Sequence, residues 1–459
     1  MSSHSDEHGR TGYTTMIILG ILPVTIAALT ADVLAADLKP PPPDPAKPVN
    51  YIEWLNKILD ANVKENAADV YGQAFAKMKP LEGDWGDTLD GPWSDNKSVS
   101  GWLAANREGL ALYRKASAMH ECFFQIDDPT PQGDVRMDHL LVEVLLPSLQ
   151  SHRDATKGLI AEGYQAWARG DFKTLPTNAI VVLRAAHHLD TGPSLMHRLA
   201  ATASYALAYG TLRDSLALAD DPSTLAARIL AELKTADPPR SPTNQAYFME
   251  RIIVWDLCQR LFVPRGLLGG WTLHKPILNL IASLDNLTPA QLQTVAQAGP
   301  GPVLDFTNLY FDAIDEWVAK PYHLAAAETD HLDRMPKTNP NPLVQVLIGS
   351  LLRSRTLDER ATASRRATRL VAHILVYHGR TSTYPTSLDD LKTAELKEIR
   401  ADPFSGRDFV YRKQGTSFVL YSAAENLKDD TGHHDESWKD GDFVFWPVQS
   451  KLSRPPPTR

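Results

Sequence analysis

From Tyr51 to Pro342 the sequence repeats one pattern, apolar residues at helical spacing, a short break, and the same spacing again. Tyr51, Ile52, Leu55, Ile58 and Leu59 lie on one face of an amphipathic helix. The spacing predicts further helices over Ala67–Met78, Trp102–Met119, Asp138–Ala168, Ile180–Leu189, Ser194–Leu218, Asp221–Ala236, Gln245–Leu261 and Thr288–Ala298. Gly170-Asp171, Thr191-Gly192-Pro193, Asp221-Pro222 and Pro238-Pro239 supply the turns between them. Between Pro80 and Ser100 a Gly/Asp/Trp-rich loop is expected, pinned by Trp85 and Trp93. Alternating strand patterns are nearly absent over these about 290 residues, so the fold class is mainly α, an irregular helical bundle or short solenoid of stacked helix pairs.

Composition narrows the class. A hydrophobic share of 43% with 22% charged residues excludes both a disordered chain and a polytopic membrane protein. Lys plus Arg number 47 against 55 Asp plus Glu, a net charge of −8 that argues against nucleic-acid binding. Two cysteines, Cys122 and Cys258, exclude a disulfide-dense scaffold and a four-cysteine zinc site.

The N-terminus sets the expected compartment. Met16 to Ala36 is 21 residues long with Asp32 its sole charge, near the ~20 needed to span a bilayer. Residues 1–36 are therefore expected to be a polar tail and a signal-anchor helix in the cytoplasmic (inner) membrane, single-pass, with the bulk periplasmic or otherwise extracytoplasmic. The alternative is a secreted chain, cleaved after Ala35 or Ala36. The following Pro-rich linker, 37–50, cannot be helix or central strand and is expected to be an extended spacer holding the body off the membrane. The remaining divisions are a helical domain at 51–342, a small α+β module at 343–447 and a disordered tail at 448–459.

In the module, Leu357–His378 is a helix that Gly379 is expected to end as a left-handed cap, and Ser387 N-caps a short second helix. Asp408–Lys413 and Ser417–Ser422 flank Gln414-Gly415-Thr416 as a hairpin, and Gly441–Trp446 adds a third strand. With Tyr384-Pro385, Asp402-Pro403-Phe404-Ser405-Gly406, Tyr421-Ser422 and an acidic loop in that order, Ala361 to Trp446 resembles the C-terminal domain of type II secretion major pseudopilins, the G-type subunit. The resemblance implies an α+β pseudopilin-like fold with a calcium-binding loop. It does not extend to the N-terminus, where the family's peptidase step (a Gly followed by Phe-Thr-Leu-x-Glu) is not found in residues 10–17. The chain as a whole looks like large exported proteins of planctomycete-type bacteria, in which such a module ends a helical chain. Gln165 to Phe172 is similar to the helix-turn of a tetratricopeptide unit, although the roughly 34-residue signature does not recur.

Candidate sites are few. Glu425 to Asp442 carries seven carboxylates against two lysines, and clustered carboxylates become tolerable when a cation offsets their repulsion. Asp429, Asp430, Asp440 and Asp442 are the expected calcium ligands, helped by Ser422 and backbone carbonyls; a solvated acidic loop is the alternative. His433-His434 is a weaker zinc pair, with no third ligand specified, and His187-His188 reads as ordinary helix residues. Arg353, Arg355, Arg360, Arg365, Arg366 and Arg369 read as a solvated basic face paired with acidic neighbours. Cys122 and Cys258 can pair or remain two separate thiols. No nucleophile elbow, metalloprotease helix, Walker loop or dinucleotide fingerprint is present. The expected function is a non-enzymatic, membrane-tethered helical scaffold for a protein partner. The alternatives are a periplasmic hydrolase with a site in the helical body and a secretion-apparatus subunit.

Overall fold

Caps written in the sequence start several helices where expected. The side chains of Ser194, Asp221 and Thr288 each accept from the backbone N–H three residues on, and Thr288 and Gln291 close a reciprocal capping box. The computed structural model describes residues 39–59, 65–80, 96–128, 133–143, 147–240, 243–280, 287–349 and 351–449. Nearly all of these belong to one compact unit, Pro40–Arg459; of the other, Met1–Lys39, Lys39 alone is described. Met16–Ala36, Trp85, Trp93 and the tail from 450 lie outside the described residues, among which no helix is long and apolar enough to cross a membrane.

In chain order the elements are α1 (Tyr51–Leu59), α2 (Ala67–Ala76), α3 (Lys97–Ala105), α4 (Arg107–Ser117), α5 (Pro147–Ala168), α6 (Thr174–Asp190), α7 (Leu195–Leu218) and α8 (Pro222–Ala236). Then come α9 (Asn244–Leu261), a hairpin of β1 (Phe262–Pro264) and β2 (Trp271–Leu273), α10 (Lys275–Leu280), α11 (Pro289–Ala298), α12 (Gly301–Ala319), α13 (Tyr322–Ala325), α14 (Thr329–Lys337) and α15 (Pro342–Leu347). The chain ends in α16 (Arg353–Thr381), α17 (Leu396–Ile399) and the antiparallel sheet β3 (Val410–Gln414), β4 (Ser417–Ser422) and β5 (Phe443–Trp446).

The molecule is thus mainly α with a small antiparallel sheet, and several boundaries differ from expectation for physical reasons. The helix expected over Trp102–Met119 breaks at Asn106, whose buried side chain accepts from Lys79 N at 2.6 Å and donates to Trp102 O at 2.9 Å, competing with the helical ladder. The helix expected from Asp138 begins only at Pro147, after a single 3-10 turn at Leu141–Glu143. Gly379 does not end its helix: α16 runs on to Thr381, and Ser382 takes the left-handed cap at φ 58°. Gly379 instead permits a close approach, since a Cβ there would sit 1.9 Å from Ser223 Oγ at the start of α8. In the C-terminal hairpin Gln414 pairs with Ser417, so the link is the two residues Gly415-Thr416, with Gly415 at φ 54°, rather than three. The β1–β2 hairpin inside the helical body has no counterpart in the sequence reading.

Two cores organise this unit, and the first crosses the boundary expected between 342 and 343. It joins α2–α8 to α16 and to the sheet, so Leu212 and Leu216 share a cluster with Leu370, Leu375, Phe418, Leu420 and Phe445. Each such side chain contributes about 1.5–3 kcal/mol when fully buried. The second gathers α9–α15 around Phe262, Ile277, Phe311, Ile314 and Trp317. A smaller cluster seats α1 against Ile126, Leu141, Met249 and Ile252. Cys122 packs against the first core and Cys258 lies in the second, both as free thiols.

The expected solvated basic face is a buried seam. Asp358 and Arg369 are buried because α16 is covered by α7, α8 and the sheet, while Arg355 is buried against the end of α12, over the Trp317 ring and donating to Trp317 O at 2.5 Å. Arg198 of α7 reaches Asp358 at 2.9 Å and Asp190 at 2.9 Å, and Arg240 reaches the same two carboxylates at 3.0 and 3.1 Å. Farther along, Asp237 takes Arg365 at 3.0 Å and Arg369 at 2.9 Å, and Tyr209 OH donates to it at 2.6 Å. Burial works against ionisation of Asp190, but Arg240 and Arg198 outweigh it and hold the carboxyl below its usual range. Arg213, buried with its guanidinium donating to Thr368 Oγ1 at 2.7 Å and lying over the Phe445 ring, is pushed down to about 10 by desolvation. Arg353 and Arg360 instead clamp Glu425 of the acidic loop.

Candidate functional site

The acidic loop is built from the end of β4 to the start of β5. Trp438 is buried, stacks on Phe443 at 3.9 Å and lies near Phe404 and Phe445, which fixes the loop's middle to the first core. Asp435 organises the next turn, accepting from Ser437 N, Ser437 Oγ, Lys439 N and Asp440 N at 2.6–2.9 Å, and these bonds hold its carboxyl well below the usual range.

Of the four expected ligands, Asp442 is the buried one, 0% exposed. Its Oδ2 accepts from Gly432 N at 2.7 Å, while its Oδ1 is buried without a hydrogen-bond partner. Burial raises its pKa, the backbone N–H groups of Gly432 and Asp430 work against the rise, and the nearby Asp429 and Asp430 carboxylates add to it by a smaller amount. Asp429 accepts from Tyr421 OH at 2.8 Å and Thr431 N at 2.9 Å, and Asp430 from Asn426 Nδ2 at 2.8 Å. Asp440 is exposed in the Asp435 turn. Ser422 turns away from the loop, donating to the buried Asp402 at 2.9 Å and accepting from Ala424 N at 3.0 Å. His434 Nδ1 accepts from Val444 N at 3.1 Å, so His434 serves strand docking. Among the described residues no three histidine, cysteine, aspartate or glutamate side chains converge as a metal-holding group. Asp442 thus carries a buried carboxylate oxygen without a hydrogen-bond partner, whereas Asp429 and Asp430 are already engaged.

The first core hides a histidine layer that the sequence reading missed. Tyr71 OH lies 3.0 Å from His188 Nδ1, Tyr113 OH lies 3.1 Å from His152 Nδ1, and Ser194 Oγ lies 2.8 Å from His197 Nδ1. His152 and His197 both pack against Phe124. Desolvation pushes His152 down to about 3 and His188 and His197 to about 4, so all three are neutral at pH 7. His152 Nε2 is buried without a partner. Of these histidines only His188 stands out in the sequence, through the His-His pair; the tyrosines opposite are distant in the chain.

A groove of about 470 Å³ lies between α1 and the extended segment before Asp128, lined by residues that include Glu53, Asn56, Lys57, Gln125, Asp127 and Asp128. Asn56 pairs both backbone groups of Ile126, at 2.9 Å each, to form its floor. His139 Nδ1 lies 2.5 Å from Asp128 Oδ2, a geometry that orients an imidazole as a base, but the described lining residues include no serine, threonine or cysteine to activate. Comparison with known protein families, with curated proteins and with solved structures finds no match.

Proposed function

We propose that this protein is a membrane-tethered, extracytoplasmic helical scaffold that presents its surface to a protein partner and whose C-terminal module is stabilised by calcium. The observation that carries the scaffold reading is the buried seam of Arg198, Arg240, Asp190 and Asp358, which fastens the long helix of the module to the helical body. Charges held this way couple the two parts mechanically, as a presenting frame requires. Crosslinking in intact envelopes followed by purification is the test: specific partners are expected, and recovery of the chain alone would overturn the reading.

The calcium reading rests on Asp442 Oδ1, a buried anionic oxygen without a partner beside two further carboxylates. A divalent cation would satisfy that oxygen and remove the mutual repulsion of Asp442, Asp429 and Asp430; Asp440 would then be dispensable. Calcium at 100 times its Kd stabilises by about 2.7 kcal/mol, so a chelator should lower the midpoint of thermal unfolding. Asp442→Asn should abolish the calcium-dependent shift while Asp440→Asn keeps it. An unchanged midpoint in chelator leaves the loop as solvated surface.

A further inference from the structure

The Pro-rich linker, expected to be a free spacer, is fastened to the body. Gln259 at the end of α9 accepts from Asp44 N at 3.1 Å and Val49 N at 2.9 Å, and donates to Val49 O at 2.9 Å. Tyr51 OH donates to Pro41 O at 2.9 Å. Arg136 bridges directly to the hairpin, with one guanidinium nitrogen donating to Pro45 O at 2.8 Å and the other to Phe262 O, the first residue of β1, at 3.0 Å. The place where the folded body begins is therefore the base of the β1–β2 hairpin.

That hairpin is an anchored projection. Phe262 is fully buried and meets Trp271 edge-on at 6.3 Å, with Phe262 paired to Leu273 and Pro264 to Trp271. Beyond the base, Pro264, Arg265, Gly266, Leu267, Gly269 and Gly270 are all exposed. The turn is carried by Gly266, Gly269 and Gly270 at φ 60°, 66° and 80°, a backbone that other residues adopt only with strain. Leu267 stands at the apex with 109% relative exposure, and Val135, on the loop that Arg260 bonds, is 69% exposed. Lys47, Arg265 and Lys275 are exposed around this corner. Of its acids, Asp134 is paired to His274 at 3.0 Å, and Asp44 folds back to accept from Ala46 N at 2.8 Å.

We propose that the hairpin tip, Pro264–Gly270, is a second membrane contact, inserting Leu267 into the headgroup layer of an anionic bilayer. The proposal rests on the tether reading: Ala36 and Pro40 are four residues apart in sequence, so with Met16–Ala36 in the bilayer Pro40 stays within about 14 Å of Ala36. β1 leads out from the buried Phe262 to Pro264, and the 3-10 turn Gly266–Leu268 places Leu267 at the exposed end. The leucine supplies the apolar point, Trp271 at the base suits the interface, and the three basic side chains suit anionic headgroups.

Full-length Leu267→Cys, carrying an environment-sensitive nitrobenzoxadiazole dye, tests this in vesicles of phosphatidylcholine and phosphatidylglycerol. Cys258 is buried and Cys122 half-buried, and desolvation pushes both thiols well above the usual range, so they react poorly. Phe172→Cys, exposed at the α5–α6 turn, is the control site. The expected result is flotation with the vesicles, a blue-shifted emission at 267 and about twofold quenching by lipid-borne nitroxide, with water-like emission at 172. Flotation with water-like emission at 267 overturns the second contact and leaves the tether standing. Absence of flotation overturns both. A blue shift that lipid nitroxide does not quench places the tip against protein, such as a second copy, and also overturns the proposal.

Discussion

The Arg–Asp seam along α16 and the histidine layer beneath α2 and α4 lie in the same core, and both bury polar groups that water would otherwise solvate. They do so by opposite means. In the seam Arg198 and Arg240 share Asp190 and Asp358, and Arg365 and Arg369 share Asp237, so desolvation is offset by attraction between full charges. In the layer every member is neutral, and tyrosine and serine hydroxyls meet imidazole nitrogens that burial has stripped of their proton. A seam of this kind fails when a partner is removed, whereas a neutral layer fails when a proton is added.

The largest effect is therefore expected from the seam. Asp358→Asn removes one of the two carboxylates shared by Arg198 and Arg240, leaving both guanidinium groups undercompensated in the core. Breaking a buried pair costs about 3–5 kcal/mol, read as a lowered denaturation midpoint. The double variant Asp358→Asn with Arg198→Met should recover part of that loss, and failure to recover it would show that the seam is held by packing alone.

Acid should act on the layer instead. His188 and His197 fall from 6.5 to about 4, and His152 to about 3, because burial disfavours the charged ring. The unfolded chain then binds more protons than the folded one between pH 6.5 and 4. The stabilisation is fully present above about pH 6.5 and is lost as pH falls below it, by about 2 kcal/mol per histidine between pH 7 and 5. The seam's Asp190, held below the usual carboxylate range, loses its contribution only at more acid pH, as the pH falls below the unfolded carboxylate value. His188→Gln, which keeps a hydrogen-bonding group opposite Tyr71, should flatten the pH 7-to-5 loss by one histidine's share. An unchanged slope would show that His188 is not the titrating group.

How legible these two regions were differs for a physical reason. Helix starts at Ser194, Asp221 and Thr288, and the strands around Gly415, are local matters of caps, turns and alternation, and they stand in the structure close to where spacing put them. The arginines of α16 were visible as a cluster, but hydropathy reports polarity and not burial. Their buried partner, Asp237, lies more than a hundred residues away, so nothing local distinguishes a seam from a solvated face. The acidic loop was legible as a cluster of seven carboxylates, yet the burial of Asp442, with an oxygen that lacks a partner, depends on how β5 docks. Gly379 misled because a glycine after a helical run signals a cap equally well as a close crossing, and here Ser223 of another helix decides it.

Ser194 joins the two kinds of interaction at smallest scale, and it gives the finest test of their difference. Its hydroxyl caps α7 through His197 N and also meets His197 Nδ1 at 2.8 Å. Ser194→Ala should cost about 1 kcal/mol at pH 7, the ordinary loss of an N-cap, because the neutral imidazole needs no countercharge. If His197 were protonated in the folded state, loss of the hydroxyl oxygen would leave a buried cation without its acceptor and cost several times more. Measuring the Ser194→Ala loss at pH 7 and again at pH 5.5 separates these cases. An equal loss at both values is the signature of a histidine that stays neutral, as its burial requires, while a loss that grows sharply at pH 5.5 would place His197 with the charged chemistry of the seam.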